Sequence, residues 1–242
     1  MRNYFLNTAA AIAAIACVQA GQALADELPP YNPVIDPANF VSDITHPYFP
    51  MKPGTVFRFE GTRDGERRID EMTVTADKKK IMGVEATVVR VISSSGTEIV
   101  EKTVDWYAQD KDGNVWYFGE DTAVYKNGKV GNTDGTWMAG VDGALPGFIM
   151  KAAPKVGDGY REEFRPKVAE DYAKIIKVDM VAGGPTGQYE NVLVTENIDL
   201  LDKSKFEHKW YAPGADIRNP FQMNSHLRAD LSKTALCIDS IT

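Results

Sequence analysis

From Thr55 onward polar and apolar positions alternate, the period expected of a strand with one face buried in a sheet. Phe57 and Phe59 point one way and Arg58 and Glu60 the other, which predicts a first strand over 55–61. A turn at 63–66 leads to a second strand over 67–76, rich in Thr and Val. Lys78, Lys79 and Lys80, followed by Gly83, then interrupt the pattern. Val84 to Ile92 is β-branched and apolar on both sides, as a central strand requires, and Ser93 to Gly96 reads as the next turn. Asn127 and Gly128 favour the positive φ angles of a type I′ turn and mark a hairpin at 126–129. Four more strands are predicted at 160–164, 172–181, 191–198 and 206–211, with a glycine- and proline-rich turn at 183–187. The stretch 172–181 holds good helix formers, yet Ile175, Ile176 and Val178 decide for strand. The sum is an antiparallel meander of about ten strands. It predicts a mostly-β, single-domain half-barrel or barrel over 55–214. No period of 20 to 50 residues repeats, so propellers and solenoids are disfavoured.

Two segments depart from alternation. Residues 26–54 are proline-rich, so they should form an extended N-terminal strap with little ladder pairing. Tyr31, Phe40, Tyr48 and Phe49 are too apolar for a free linker and are expected to pack onto the domain. Residues 134–154, broken by Gly and Pro, carry Trp137, Leu145, Phe148, Ile149 and Met150; a loop of that length reads as a candidate lid.

Residues 105–121, DWYAQDKDGNVWYFGED, concentrate aromatics and acids around one Asp-Gly pair. A calcium loop starting at Asp110 would need its glycine at the sixth position, where Val115 stands. A hairpin fits instead, with Asp110 opening a type I turn and Gly113 in the left-handed position of a bulge. That turn predicts Ala108 opposite Trp116, Tyr107 opposite Tyr117 and Trp106 opposite Phe118. One face would carry Trp106, Ala108, Trp116 and Phe118, and the other Asp105, Tyr107, Gln109, Val115 and Tyr117. Such aromatic pairs contribute about 0.2–1 kcal/mol each as plain packing. They could equally line a cavity in which tyrosine hydroxyls orient a ligand.

The ends of the chain bear on compartment. Arg2, an apolar run from Thr8 to Val18 and the small residues Ala23 and Ala25 have the layout of a signal peptide over 1–25. This predicts a periplasmic or secreted protein. The run is well short of the ~20 apolar residues of a membrane span, and no later stretch of the mature chain is long enough. Cys17 offers the alternative of lipid anchoring. If it leaves with the leader, Cys237 is the sole cysteine and no internal disulfide can form. The formal charge of -7 repels phosphate backbones, so nucleic acid is not an expected partner.

Candidate chemistry is sparse. His46, His208 and His226 are the only histidines and lack metal-ligand spacing, so no metal or other cofactor is predicted. No hydrolase elbow, phosphate loop or dinucleotide fingerprint occurs. The carboxylate pairs Glu162 with Glu163 and Glu120 with Asp121 are of a kind that any acidic chain produces. His208 shares a predicted strand face with Phe206 and Trp210, which places it at the edge of the core.

The phrases YAQDKDGNVWYFGED, GVDGALPG, QYENVLVTENIDLL and FEHKWYAPG resemble, in that order, an uncharacterised family of exported bacterial proteins over most of residues 36–214. The closing FEHKWYAPG is also similar to the last hairpin of half-barrels related to periplasmic lipoprotein carriers, which implies a curved antiparallel sheet around an apolar cavity. After Gly214 such proteins continue with an apolar strand, whereas this chain does not; 215–242 reads as a divergent tail. The expectation is a non-catalytic exported binding module for an apolar or amphipathic ligand, with Trp106, Tyr107, Trp116, Tyr117, Trp137 and Trp210 as candidate binding residues. Two alternatives stand beside it. One is an envelope protein–protein interaction module that pairs through a strand edge. The other is a hydrolase using Asp105, Glu120 or His208, which requires a strongly shifted pKa in a cleft.

Overall fold

Alternation becomes strand at nearly every position where the sequence predicts one. A computed structural model describes residues 28–63, 66–184 and 187–213. The signal segment with Cys17, the tail 215–242 with His226 and Cys237, and the turn residues Asp64, Gly65, Pro185 and Thr186 lie outside the described residues. Residues 1–32 form a unit separate from 33–242. Tyr31 falls in the first unit, and every strand among the described residues falls in the second.

The elements are β1 (Phe40–Val41), β2 (Val56–Arg63), β3 (Glu66–Ile81), β4 (Val84–Ser95), β5 (Glu98–Asp110), β6 (Val115–Lys126) and β7 (Lys129–Asn132). They continue with β8 (Trp137–Met138), β9 (Leu145–Met150), β10 (Gly159–Arg161), β11 (Glu163–Phe164), β12 (Asp171–Gly184), β13 (Gly187–Asp199) and β14 (Phe206–Tyr211). The larger sheet runs β11-β9-β6-β5-β4-β3-β2 and curls into an antiparallel half-barrel. A second sheet, β10-β12-β13-β14, closes onto it. The chain crosses between the sheets at Glu162, whose N–H donates to the Asp171 carbonyl at 2.8 Å. Phe57, Val74, Val89 and Phe118 of the larger sheet share one core with Ile175 and Leu193 of the smaller.

Two sheet edges are filled piecewise. β4 leaves β5 at Tyr107, and β1 takes over at Gln109 and Asp110. Among the described residues the strap makes only this short ladder, at Phe40 and Val41, which fall between its prolines. Phe49 is buried, and Phe40 packs edge-on against Trp116 and Phe118, as expected of a strap that covers the domain.

The outer edge of β6 is covered in turn by β7, β8 and β9. The expected lid at 134–154 thus contributes two short strands, β8 and β9, to the sheet, and Trp137 is 2% exposed. Gly147 reads as a breaker in sequence, but a Cβ there would collide with the Glu162 carbonyl oxygen, so glycine is what lets β9 and the crossover approach.

Three further boundaries differ. β3 runs on through Lys78, Lys79 and Lys80 after a bulge between Val74 and Lys78, with Lys78 and Lys80 exposed and Lys79 laid over the Trp106 ring. Ser93 to Ser95 belong to β4, and the turn lies beyond them. The strand predicted over 160–164 is broken at Glu162 into β10 and β11, one in each sheet. The Asn127-Gly128 hairpin forms as predicted, with φ of 53° and 71°.

Candidate functional site

The β5–β6 hairpin begins at a turn locked by one side chain. Asp110 accepts from the Asn114 backbone N–H at 2.8 Å, from Asn114 Nδ2 at 2.9 Å and from Trp116 Nε1 at 2.8 Å. From this turn the predicted register holds for Ala108 with Trp116 and Tyr107 with Tyr117. It then slips: Trp106 pairs with Gly119, not Phe118, and Asp105 with Glu120. The cause is a bulge at Gly119, whose φ of 130° only glycine adopts readily. A Cβ there would also strike the Trp137 carbonyl oxygen as β8 packs in.

The extra residue turns Glu120 to the same side as Tyr117. The Tyr117 hydroxyl donates to Asp105 Oδ1 at 2.6 Å and lies 3.2 Å from Glu120 Oε2, so two carboxyl groups compete for one proton donor. Tyr107 stacks on Tyr117 with centroids 4.7 Å apart, and Trp137 meets Tyr117 edge-on at 5.3 Å.

The smaller sheet and the crossover bring further polar groups to this interior. Glu162 accepts from Asn197 Nδ2 and lies 3.4 Å from Lys209 Nζ. Lys209 is also 3.3 Å from Glu207. Burial lifts Asp105 to about 7 despite the Tyr117 hydrogen bond. Burial, reinforced by the charge of Asp105, lifts Glu120 to about 8. Burial and the neighbouring Glu162 take Asp171 to about 7. Glu163 is raised well above the usual carboxylate range by burial, then by Glu120 and Asp171. Burial raises Glu162 too, although Lys209 and Asn197 pull it back. Burial opposes the Lys209 charge, but Glu162 and Glu207 outweigh it and keep the ammonium protonated. Trp137 Nε1, the Tyr160 hydroxyl and Glu162 Oε1 are buried polar atoms with no hydrogen-bond partner among the described residues.

The six candidate binding residues are all buried, but they do not share one space. Tyr107, Tyr117 and Trp137 come together around Asp105 and Glu120. Trp116 lies on the opposite side of β6, its ring centroid 3.8 Å from that of Phe148, and lines an open groove of about 420 Å³ with Asp36, Phe40, Asp110 and Lys111. Trp106 faces away from Tyr107, with Lys79 Nζ 3.8 Å from its ring centroid. Trp210 belongs to a separate apolar cluster with Ala182, Val192 and Val194.

His208 meets Glu196 at 3.4 Å and Phe206 edge-on, which is the core-edge position expected of it, and not Asp105 or Glu120. Among the described residues no group of three or more His, Cys, Asp or Glu is placed to hold a metal ion.

Sequence reasoning missed Glu162, Glu163, Asp171 and Lys209 as a group. Their one signal was position: Glu207, Lys209 and Tyr211 form the second face of a strand whose first face, Phe206, His208 and Trp210, already reads as core. The interior can exchange protons near neutral pH, hydrogen-bond a polar group and stack against its apolar neighbours. No family model, curated protein or solved structure gives a significant match to this chain.

Proposed function

We propose that this chain is an exported, non-catalytic binding module that takes an amphipathic ligand into the interior between its two sheets. The observation that carries the reading is the set of unpartnered buried atoms, Trp137 Nε1, Tyr160 OH and Glu162 Oε1, with Trp137 edge-on to the Tyr107–Tyr117 stack. Leaving such a group unsatisfied costs about 1–3 kcal/mol, a cost that a ligand's polar head would relieve. The aromatic faces of Tyr107, Tyr117 and Trp137 would hold its apolar part. Export is supported by the layout of residues 1–25 and by the resemblance to exported bacterial proteins. Native mass spectrometry of the protein purified from the exported fraction, with solvent extraction, tests the reading. A co-purifying amphipath that is lost in Tyr160→Phe is the expected result. A protein that is empty and binds no amphipath in titration overturns it.

A second reading, a hydrolase using Asp105 and Glu120, is favoured by one observation: the two carboxyl groups titrate near neutrality, at about 7 and about 8, and share the Tyr117 hydroxyl. Groups of that pKa suit general acid–base work. His208 has no part in it. Hydrolysis of ester or glycoside substrates that disappears in both Asp105→Asn and Glu120→Gln would establish this reading, and unchanged hydrolysis in both would end it.

A further inference from the structure

The second half of the strap, residues 44–51, is a small loop closed on itself. The Met51 N–H donates to the Ile44 carbonyl at 3.0 Å, and inside that bridge the Phe49 N–H donates to the His46 carbonyl at 3.0 Å. Pro47 suits the turn so formed, because its ring holds φ near the value that the first central position takes. The imidazole of His46 joins this loop to the domain. The Tyr48 N–H donates to Nδ1 at 3.1 Å, so Nδ1 carries no hydrogen, and Nε2–H donates to the Lys151 carbonyl, just past the end of β9, at 3.0 Å. Gln109 Oε1 of β5 accepts from the Thr45 N–H at 2.8 Å and from the His46 N–H at 2.9 Å. The Tyr48 hydroxyl donates to the Asn191 carbonyl of β13 at 3.0 Å, so the loop is fixed to both sheets. It sets Ile44, Phe49 and Met51 into the core, and the Phe49 ring lies edge-on to Tyr107 at 5.2 Å, against the stack that Tyr107 forms with Tyr117.

We infer that residues 44–51 are a pH-released clasp over the tyrosine stack, opened when the His46 ring takes up a proton. An imidazolium carries hydrogen on both nitrogens. Its Nδ1–H would face the Tyr48 N–H, donor against donor, in a residue that is 4% exposed. Lifting the loop gives the charged ring water and takes Phe49 off Tyr107. The inference does not depend on what the interior binds.

The groups that face His46 are Tyr48 on the loop itself, the neutral Gln109 from β5 and Lys151 after β9, whose ammonium lies 3.5 Å from the Phe148 ring centroid. Asp110, next to Gln109, has its carboxylate taken up by Asn114 and Trp116. Asp179 of β12 acts on the Tyr48 hydroxyl. Among the described residues no carboxylate acts on His46 itself. Burial holds it below its ordinary 6.5 while the clasp is closed, against the backbone at Lys151 and Ala152, which favours the charged form. The direction of the switch follows. Above 6.5 neither form takes the proton, and closure is at full strength. Below 6.5 the open loop binds a proton that the closed loop refuses, so opening becomes about tenfold more frequent for the first unit of pH, until the closed-state pKa is reached.

Amide hydrogen exchange of the full chain at pH 7.5 and pH 5.5, read by mass spectrometry and corrected for the intrinsic exchange rate, tests this. The expected result is a loss of protection of about tenfold over 44–51 at pH 5.5, with β4 unchanged. His46→Gln keeps an N–H for the Lys151 carbonyl but cannot be charged, so its loop should exchange alike at both pH values. An unchanged loop in the wild type, an equal loss in β4, or a pH dependence that persists in His46→Gln would overturn the clasp. If that variant does not fold, the wild type decides alone. The His46 ring signal, followed by NMR, should titrate below 6.5 and in step with exchange at the Tyr48 amide. A ring that titrates at or above 6.5, or a Tyr48 amide unmoved as it titrates, would overturn the inference.

Discussion

Asp105→Asn isolates the cost of the buried charge. The asparagine keeps an oxygen to accept from Tyr117, so packing and the 2.6 Å hydrogen bond are retained while the ionisable proton is removed. In the wild-type protein Asp105 moves from an ordinary 3.8 to about 7 on folding. At about 1.4 kcal/mol per pH unit, that displacement is worth about 4 kcal/mol once both folded and unfolded chains are ionised. The sign follows from proton counts. Below pH 3.8 both states hold the proton and nothing is lost. Between 3.8 and 7 the unfolded chain releases it while the folded chain keeps it, so stability falls as pH rises. Above 7 the loss is complete and constant. Glu120 shares the hydroxyl and gains freedom to ionise when Asp105 is neutral, so about 2 kcal/mol is a safer lower figure. Urea unfolding followed by tryptophan fluorescence at pH 5, 7 and 9 reads the difference, since all four tryptophans are buried. The variant should gain on the wild type between pH 5 and pH 7, reach a lead of about 2–4 kcal/mol just above pH 7, and hold that lead at pH 9. Stabilities that stay parallel across this range would refute the claim that Asp105 is held from water.

Two other substitutions probe the frame of the site. Gly119→Ala places a methyl group against the Trp137 carbonyl at a φ of 130°, and should cost about 3 kcal/mol or more in urea unfolding; a loss under about 0.5 kcal/mol would mean the bulge does not require glycine. Lys209→Met leaves Glu162, whose side chain is 3% exposed, without its cation. It should cost about 3 kcal/mol at pH 9 and less at pH 5, where Glu162 can take up a proton; an equal loss at both values would contradict the ion pair.

The hairpin shows where sequence stops being informative. Asp110, Asn114 and Gly113 define a turn by local chemistry, so the first two cross-strand pairs follow from it. The third fails because Gly119 does not continue the strand as an ordinary residue would, and glycine inside an apolar strand is a recognised sign of a bulge. The same limit hides β8 and β9. Pro146 and Gly147 look like breakers along the chain, and only the approach of Glu162 from the crossover gives Gly147 its purpose. The aromatic side chains are recognisable as interior, but not which of them would meet. Asp105 and Glu120 stand out as candidates, but Glu162, Glu163 and Asp171 do not, because they differ from solvated acids only in what the second sheet places over them.

A strand keeps parity: each residue along it points in or out by turns, and a single insertion reverses every later assignment. The bulge at Gly119 is such an insertion. Upstream of it, β6 sends Tyr117 inward; downstream, Glu120 arrives on that side one step out of phase, where an uninterrupted strand would have presented it to the opposite face. The acidic end of the interior therefore depends on an odd number as much as on any side chain. Straightening the bulge without removing a residue would restore regular alternation, carry Glu120 to the other face and leave the aromatic stack largely as it stands. Sheet and site are in this sense separately inherited, joined by the position of one glycine.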